Sequence, residues 1–450
     1  MVVKKLIQVT SMFKSGLSLI VAQRVWQGFA GLLTVLVIGF TLTQEQQGWY
    51  YTFLSIAALY SVFEMGLATA LVQVTAYMFV KLHWLPQGRV AGEAVSAFTS
   101  FFSRSVKVYI YFAMAFFIVS LSVGYYIFSH KTSHAVLMET WLWPWLLLVS
   151  MTACSMLTLP FFAVVEGSGE IAEVYKIKLM QGVLGAIACW LVLLSGGWLW
   201  ATVMVPLCSV LVVAIWLIKK RIYLIQSVFA VISSSSFDWN REIFPLQWRI
   251  GLNWISVFFM SQLATPILFY YQNPVVAGQM GLSLAIVNML AIVSQSWIAR
   301  RVPALAQAVA RREWEILDHL FKKDLRHSVI VFFAGAFVIM TTHYWVSNTA
   351  YFARVLPFWP FIGLLGFVFF YHINSAFSSQ LRSFKREPLA WVSLAGAMLI
   401  LPGSIYAAKF FSVNGVVIVM LSVQVLLVFP LSYLLWRKYN KNWRSASGGA

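Results

Sequence analysis

Apolar runs of roughly twenty residues alternate with short polar interruptions from one end of the chain to the other. That length is what an α-helix needs to cross a hydrocarbon core about 30 Å thick. The pattern predicts twelve spans, at about 16–42, 49–80, 106–128, 141–165, 178–195, 198–218, 250–271, 276–299, 328–346, 355–376, 388–407 and 413–436. The longest polar interruption, Lys219 to Arg249, contains the serine run Ser233–Ser236 and falls close to the midpoint, leaving six spans on either side. The expected organisation is a six-helix lobe at 1–218, a linker at 219–249, and a second six-helix lobe with a short tail at 250–450.

Composition points the same way. Hydrophobic residues make up 61% of the 450 positions and charged residues 10%, against roughly 45–50% and about 25% in a soluble domain. No region remains for a soluble catalytic domain, so function is expected inside the membrane bundle. The first run is too long for a signal-peptide core and lacks a small-residue cleavage site, so it is expected to stay as a span. Cys154, Cys189 and Cys208 all fall inside predicted spans, leaving no disulfide framework or CxxC metal pattern.

The net charge of +18 is laid out segment by segment rather than on one domain face, which argues against nucleic acid as a partner. Of the 32 lysines and arginines, all but Arg24, Lys131, Arg354 and Lys409 belong to interruptions on the same side of the predicted bundle. By the positive-inside rule that side is cytoplasmic and holds both termini.

The two halves echo each other. Gly16-Leu-Ser matches Gly251-Leu-Asn and Gln27 matches Gln262; Gly48 with Ser55-Ile56 then matches Gly278 with Ala285-Ile286. An even number of spans per half gives both halves the same orientation. The predicted fold class is therefore an all-α polytopic membrane protein of about 12 transmembrane helices, in two six-helix lobes related by a pseudo-two-fold along the membrane normal. Between spans eight and nine, Ile316, Leu317, Leu320, Phe321 and Leu325 recur at helical spacing among charges. This predicts an amphipathic helix at the cytoplasmic headgroups, with Arg311, Arg312, Lys322 and Lys323 facing anionic lipid.

Candidate chemistry is sparse. Glu64 is the one charge between Trp49 and Val80, and Arg24 is the other Asp, Glu, Lys or Arg deep in a span. Counted from the outer ends of antiparallel spans one and two, they lie at depths of roughly 26 Å (Arg24) and 22 Å (Glu64). They are expected either to pair or to line a cavity, since a charge at that depth seeks a partner or water. Amides suit sugar hydroxyls because each offers donors and an acceptor; Gln23, Gln27, Asn253, Gln262, Asn288 and Asn374 are the cavity candidates. Gln181, Gln295, His372 and Gln424 are further polar residues within spans, and interhelical hydrogen bonding is the alternative role for any of them. No P-loop, HExxH or serine-elbow pattern occurs. The longest outer loop, near Ser129 to Thr140, offers His130, Lys131, His134 and Glu139 in no recognisable catalytic arrangement, so no catalytic residue is assigned and no enzyme is expected.

The stretch "LTQEQQGWYYTFLSIAALYSVFEMGLATALVQ" resembles the first hairpin of polysaccharide flippases in the multidrug/oligosaccharidyl-lipid/polysaccharide exporter superfamily. There a short outer turn ending in glycine leads to an acidic-x-Gly-Leu motif; Gly48, Glu64, Gly66 and Leu67 occupy those places, with Glu where Asp is more usual. "RRVPALAQAVARREWEILDHLFKKDLR" resembles the family's inner helix after span eight, and "VNGVVIV" its entry to the last span. The resemblance implies a transporter that flips an undecaprenyl-diphosphate-linked oligosaccharide, such as an O-antigen repeat unit, to the outer leaflet of a bacterial inner membrane. It implies no cofactor beyond coupling to H+ or Na+. Its partners would be the lipid-linked oligosaccharide, membrane lipid and other polysaccharide-assembly membrane proteins. The alternatives are a cation-coupled drug antiporter of the same superfamily, for which Glu64 would be the coupling carboxylate, and a polytopic sugar or acyl transferase. A second basic residue deep in the C-terminal half is missing from the pattern.

Overall fold

A chain so apolar has one way to satisfy its backbone in hydrocarbon short of a closed barrel, namely hydrogen bonds within each crossing segment. The computed structural model accordingly places nearly all of its described residues, 2–131, 136–229, 237–345, 349, 352–384 and 387–446, in helices. The serine run Ser233–Ser236 and His134 lie outside the described residues. Two compact units emerge from the contacts: one comprises Met1–Leu42 and Ile56–Trp254, the other Thr43–Ser55 and Ile255–Ala450. The sequence boundaries differ from this division in that Thr43–Ser55 clusters with the C-terminal half.

The first unit opens with α1 (Val2–Thr41). Most of α2 (Gln44–Ala57) belongs to the second unit, and the chain returns with α3 (Tyr60–Glu64) and α4 (Leu67–Met78). A short antiparallel hairpin follows, β1 (Leu82–Leu85) and β2 (Arg89–Gly92), with Trp84 opposite Val90. Then come α5 (Val95–Ser129), α6 (Met138–Met156), α7 (Leu159–Gly167), α8 (Ile171–Leu194) and α9 (Ala201–Lys220), and after them α10 (Ile222–Val228) and α11 (Trp239–Glu242). One predicted span, 141–165, is two helices because Pro160 at the start of α7 has no N–H to continue α6. The helices α5 and α8 overrun their apolar runs at one end. Apolar length marks the hydrocarbon, and polar residues past it need not stop a helix.

In the second unit, α12 (Phe244–Ser261) arrives from the first, followed by α13 (Ala264–Tyr271), α14 (Pro274–Ala299) and α15 (Val302–Ala310). Then follow α16 (Trp314–Trp345), α17 (Phe358–Arg382), α18 (Ala390–Val423), a π-helical turn at Gln424–Val428 and α19 (Phe429–Ala446). Among the described residues eleven helical runs are long and apolar enough to cross a membrane, and the last, Ala390–Trp443, is 54 residues. At 1.5 Å per residue that is roughly 80 Å, far beyond one crossing. The backbone breaks at Ser412 (φ 55°, ψ −151°), splitting the run into the two expected spans.

The predicted interfacial helix divides in two. Here α15 and the start of α16 meet at a turn where Arg312 has a φ of 58°, and α16 continues unbroken into the next span. Arg311, Arg312, Lys322 and Lys323 are exposed as expected. The apolar stripe, however, turns into protein rather than lipid: Leu305, Leu317 and Phe321 pack with Ile373, Phe377 and Leu381 in a buried cluster. Asp324, 2% exposed, fastens this elbow by accepting from Arg300 at 3.0 Å and Arg301 at 2.7 Å. Outside the spans, Glu387 pairs with Arg382 at 2.8 Å. Burial pushes its carboxyl above the ordinary carboxylate range, while Arg382 pulls the other way.

Within the second unit, Thr43–Ser55 is held by close backbone contact. A Cβ on Gly48 would lie 1.8 Å from the Pro274 carbonyl oxygen, so α2 and α14 meet at glycine. Buried Gln47 donates to the carbonyls of Gly278 and Arg354, each at 2.9 Å. Trp49 packs edge-on against Phe269. Replacing Gly48 by Ala forces α14 away and is expected to cost about 1–3 kcal/mol, read as a lower melting temperature of the purified protein; an unchanged melt would show that this contact is loose.

Candidate functional site

Two features of the first unit carry the buried charge. The first is a break in the second span. After α3 ends at Glu64, Met65 (φ 49°) and Gly66 (φ 69°) both turn left-handed before α4 starts at Leu67. A helix that restarts in hydrocarbon bares its first amides, and each left unpaired costs several kcal/mol. The Glu64 carboxylate meets that need: it accepts from the Gly66 amide and the Ala68 amide at 2.7 Å each, and from the Tyr109 hydroxyl at 2.8 Å. Its charge also sits at the positive end of α4. Gly66 is demanded twice over, by its φ and because a Cβ would lie 2.4 Å from Ile250 Cγ2. Acid, any residue, glycine is thus the pattern of a carboxylate that caps the helix following it.

The second feature is a cationic cluster around α1, α7 and α8. Arg24 is exposed on α1, and among the described residues no ion pair joins it to Glu64. Its neighbours are on α8, which α1 packs along: the Arg24 charge acts on the Tyr175 hydroxyl together with that of Glu166. Lys178 stands 4.8 Å from the Tyr175 ring centre and 3.0 Å from the Glu166 carboxylate. Lys178 is thus shared between a carboxylate on α7 and a tyrosine ring on α8. Gln27 is exposed on α1 close to Arg24, and Gln23 is half-buried. Lys178 and Tyr175 were not singled out from sequence. The lysine was counted with the charges that end a span, and nothing in the pattern distinguished one aromatic from another.

The remaining predicted residues are dispersed. Asn253 is half-buried on α12 in the first unit. In the second unit Gln262 is half-buried at the break between α12 and α13, Asn288 is half-buried on α14, and Gln295 is half-buried further along it. Asn374 and Gln424 are buried, and neither amide has a hydrogen-bond partner. Gln181 is spent on the Ser209 hydroxyl at 2.8 Å. His372 is fully buried at 2.7 Å from the Ser328 hydroxyl, whose proton goes to the Ser294 carbonyl at 2.6 Å. The histidine must therefore be the donor in that pair, through Nε2. Among the described residues no three of His, Cys, Asp and Glu gather as metal ligands.

Comparison with known proteins identifies the fold. No protein-family model matches the sequence, and no curated protein matches it. Solved structures do. The chain is similar to the eukaryotic MATE transporter AtDTX14, with a TM-score of 0.63 at 14% identity, over 98% of this chain and 99% of that one. It is similar to a MOP superfamily transporter from Pyrococcus furiosus, for which reversed polarity of the binding pocket suggests a different function (TM-score 0.57, 12% identity, 95% and 96% covered). It is also similar to the lipid II flippase MurJ in an inward closed conformation (TM-score 0.56, 13% identity, 94% and 87% covered). The chain is therefore an all-helical membrane protein with the MATE-like transporter fold, about twelve helices in two lobes.

The Glu64 bonds are open to measurement. Glu64→Ala strands two amides and a phenol in an apolar interior and is expected to destabilise by about 2–4 kcal/mol, whereas Tyr109→Phe removes one bond and is expected to cost about 1 kcal/mol. In the double variant the two losses should be less than additive, as for residues in contact. Melts of the three purified proteins decide it, and strict additivity would mean that the pair does not interact.

Proposed function

We propose that this protein flips an undecaprenyl-diphosphate-linked oligosaccharide, an O-antigen or other surface-polysaccharide repeat unit, from the inner to the outer leaflet of a bacterial inner membrane by alternating access. The observation that carries the reading is the fate of the two charges that the sequence places deep in the spans. Glu64 gives its lone pairs to three internal donors, so little remains to receive a cationic drug or a coupling ion. Arg24 stays exposed on α1, the helix that packs along α8 with its Tyr175 and Lys178, a surface suited to a diphosphate. Arg24, Glu64, Gln23, Gln27 and Asn253 are proposed as substrate-site residues of the first unit and Gln262, Asn288 and Asn374 as those of the second, with Arg24 and Gln27 in contact with the headgroup and Glu64 fixing the wall. Cytoplasmic termini, coupling to H+ or Na+ and association with other polysaccharide-assembly proteins belong to the same proposal.

The neighbours of this fold include both drug exporters and a lipid-linked flippase, so overall likeness does not choose between them. Pocket charge does. A cavity for cationic drugs needs a free carboxylate, and here the carboxylate is capped while the arginine is not.

Leaflet accessibility of the lipid-linked oligosaccharide tests the proposal, using a membrane-impermeant glycan probe on cells depleted of the protein. The expected result is loss of outer-leaflet signal with inner accumulation, restored by wild type but not by Arg24→Ala. As Arg24 has no ion pair to lose, its Ala variant should melt within about 0.5 kcal/mol of wild type. An unchanged leaflet distribution with altered drug susceptibility would replace this reading by the antiporter. An accumulating intermediate short of one sugar or acyl group would replace it by the transferase.

A further inference from the structure

The hairpin after α4 is unusual in a bundle of helices, and it walls a cavity of about 290 Å³ together with the end of α9. Leu85, Gln87 and Gly88 form one side, and Lys219, Lys220, Arg221 and Glu173 the other. The hairpin is firmly seated. Trp84 donates to the Ser168 hydroxyl at 2.8 Å, the Arg221 guanidinium lies 4.5 Å from the Trp84 ring centre, and Arg89 covers Tyr223 at 5.6 Å.

Charge in this cavity is unbalanced. Arg221, 7% exposed, is matched by Glu173, which also accepts from Trp216. Lys219 and Lys220 are exposed and form no ion pair among the described residues. They are also the last two residues of a membrane-crossing run, which sets the cavity at headgroup depth. Apolar side chains crowd the same end of this unit: Val80 is 83% exposed, Phe229 82% and Leu85 40%. Cations beside exposed apolar surface at a span's end match a lipid with an acidic head and acyl chains.

We infer that the cavity between the 82–92 hairpin and Lys219–Arg221 binds the phosphate of an anionic membrane phospholipid. Lys219 and Lys220 contact the phosphate, Arg221 is held by Glu173 as the floor, and Leu85, Val80 and Phe229 meet the chains. The site lies within the first unit and does not depend on what the protein transports.

The test is retention of phosphatidylglycerol against phosphatidylcholine by the full-length protein in detergent, read by native mass spectrometry. The variant Lys219→Gln/Lys220→Gln is compared with Arg437→Gln/Lys438→Gln, which removes the same exposed charge from the other unit. At about a fivefold loss per lysine, phosphatidylglycerol affinity is expected to fall roughly thirtyfold in the first variant and to hold in the second. Wild-type retention should also weaken as NaCl rises from about 0.05 to 0.5 M, a reading that needs no variant to fold. Equal retention by the two variants, or no preference for phosphatidylglycerol over phosphatidylcholine, overturns the inference. Displacement of the lipid by equimolar inorganic phosphate also overturns it, since the site would then be one for free phosphate.

Discussion

A backbone amide in hydrocarbon has to be bonded by something the chain brings with it. Through most of this molecule the carbonyl four residues back does that work. At Met65 and Gly66 it cannot, and the second span holds together there because one carboxylate spans the gap. Glu64, Tyr109, the left-handed turn and the close approach of Ile250 to Gly66 form a single arrangement. An acid with no other support at this depth would be costly; three donors and a helix terminus make it an ordinary buried ion.

That arrangement also locates the free charge of the first unit. With the carboxylate so committed, no ion pair to Arg24 occurs among the described residues, and on the neighbouring α8 Lys178 is paired with Glu166. A helix cap thus disposes of the acid deep in the second span, and backbone geometry shapes the electrostatics of this unit as much as residue content does.

The helical class and the approximate number of spans were legible because each follows from the length of an apolar run, a one-dimensional quantity. What failed was azimuth. Arg24 and Glu64 were placed at similar depths, but depth along an axis does not say which way a side chain points. The contacts of α1 run along α8, which turns Arg24 towards Tyr175. The stripe at Leu317 and Phe321 was recognised by its period, yet periodicity reports that a face is covered and not by what; here protein covers it. The break at Gly66 was legible only as a motif, without its reason. The 82–92 hairpin gave no signal, since four-residue strands are too short to show alternation.

The connection between the last two spans is a single residue. Ser412 adopts a backbone conformation that serine rarely tolerates, at about 1–3 kcal/mol, and helix resumes at once on either side. With no slack between them, α18's two halves cannot slide independently. The facing ends of the two spans therefore stay together, and between them there is no loop for a protease, an antibody or an inserted epitope to grip.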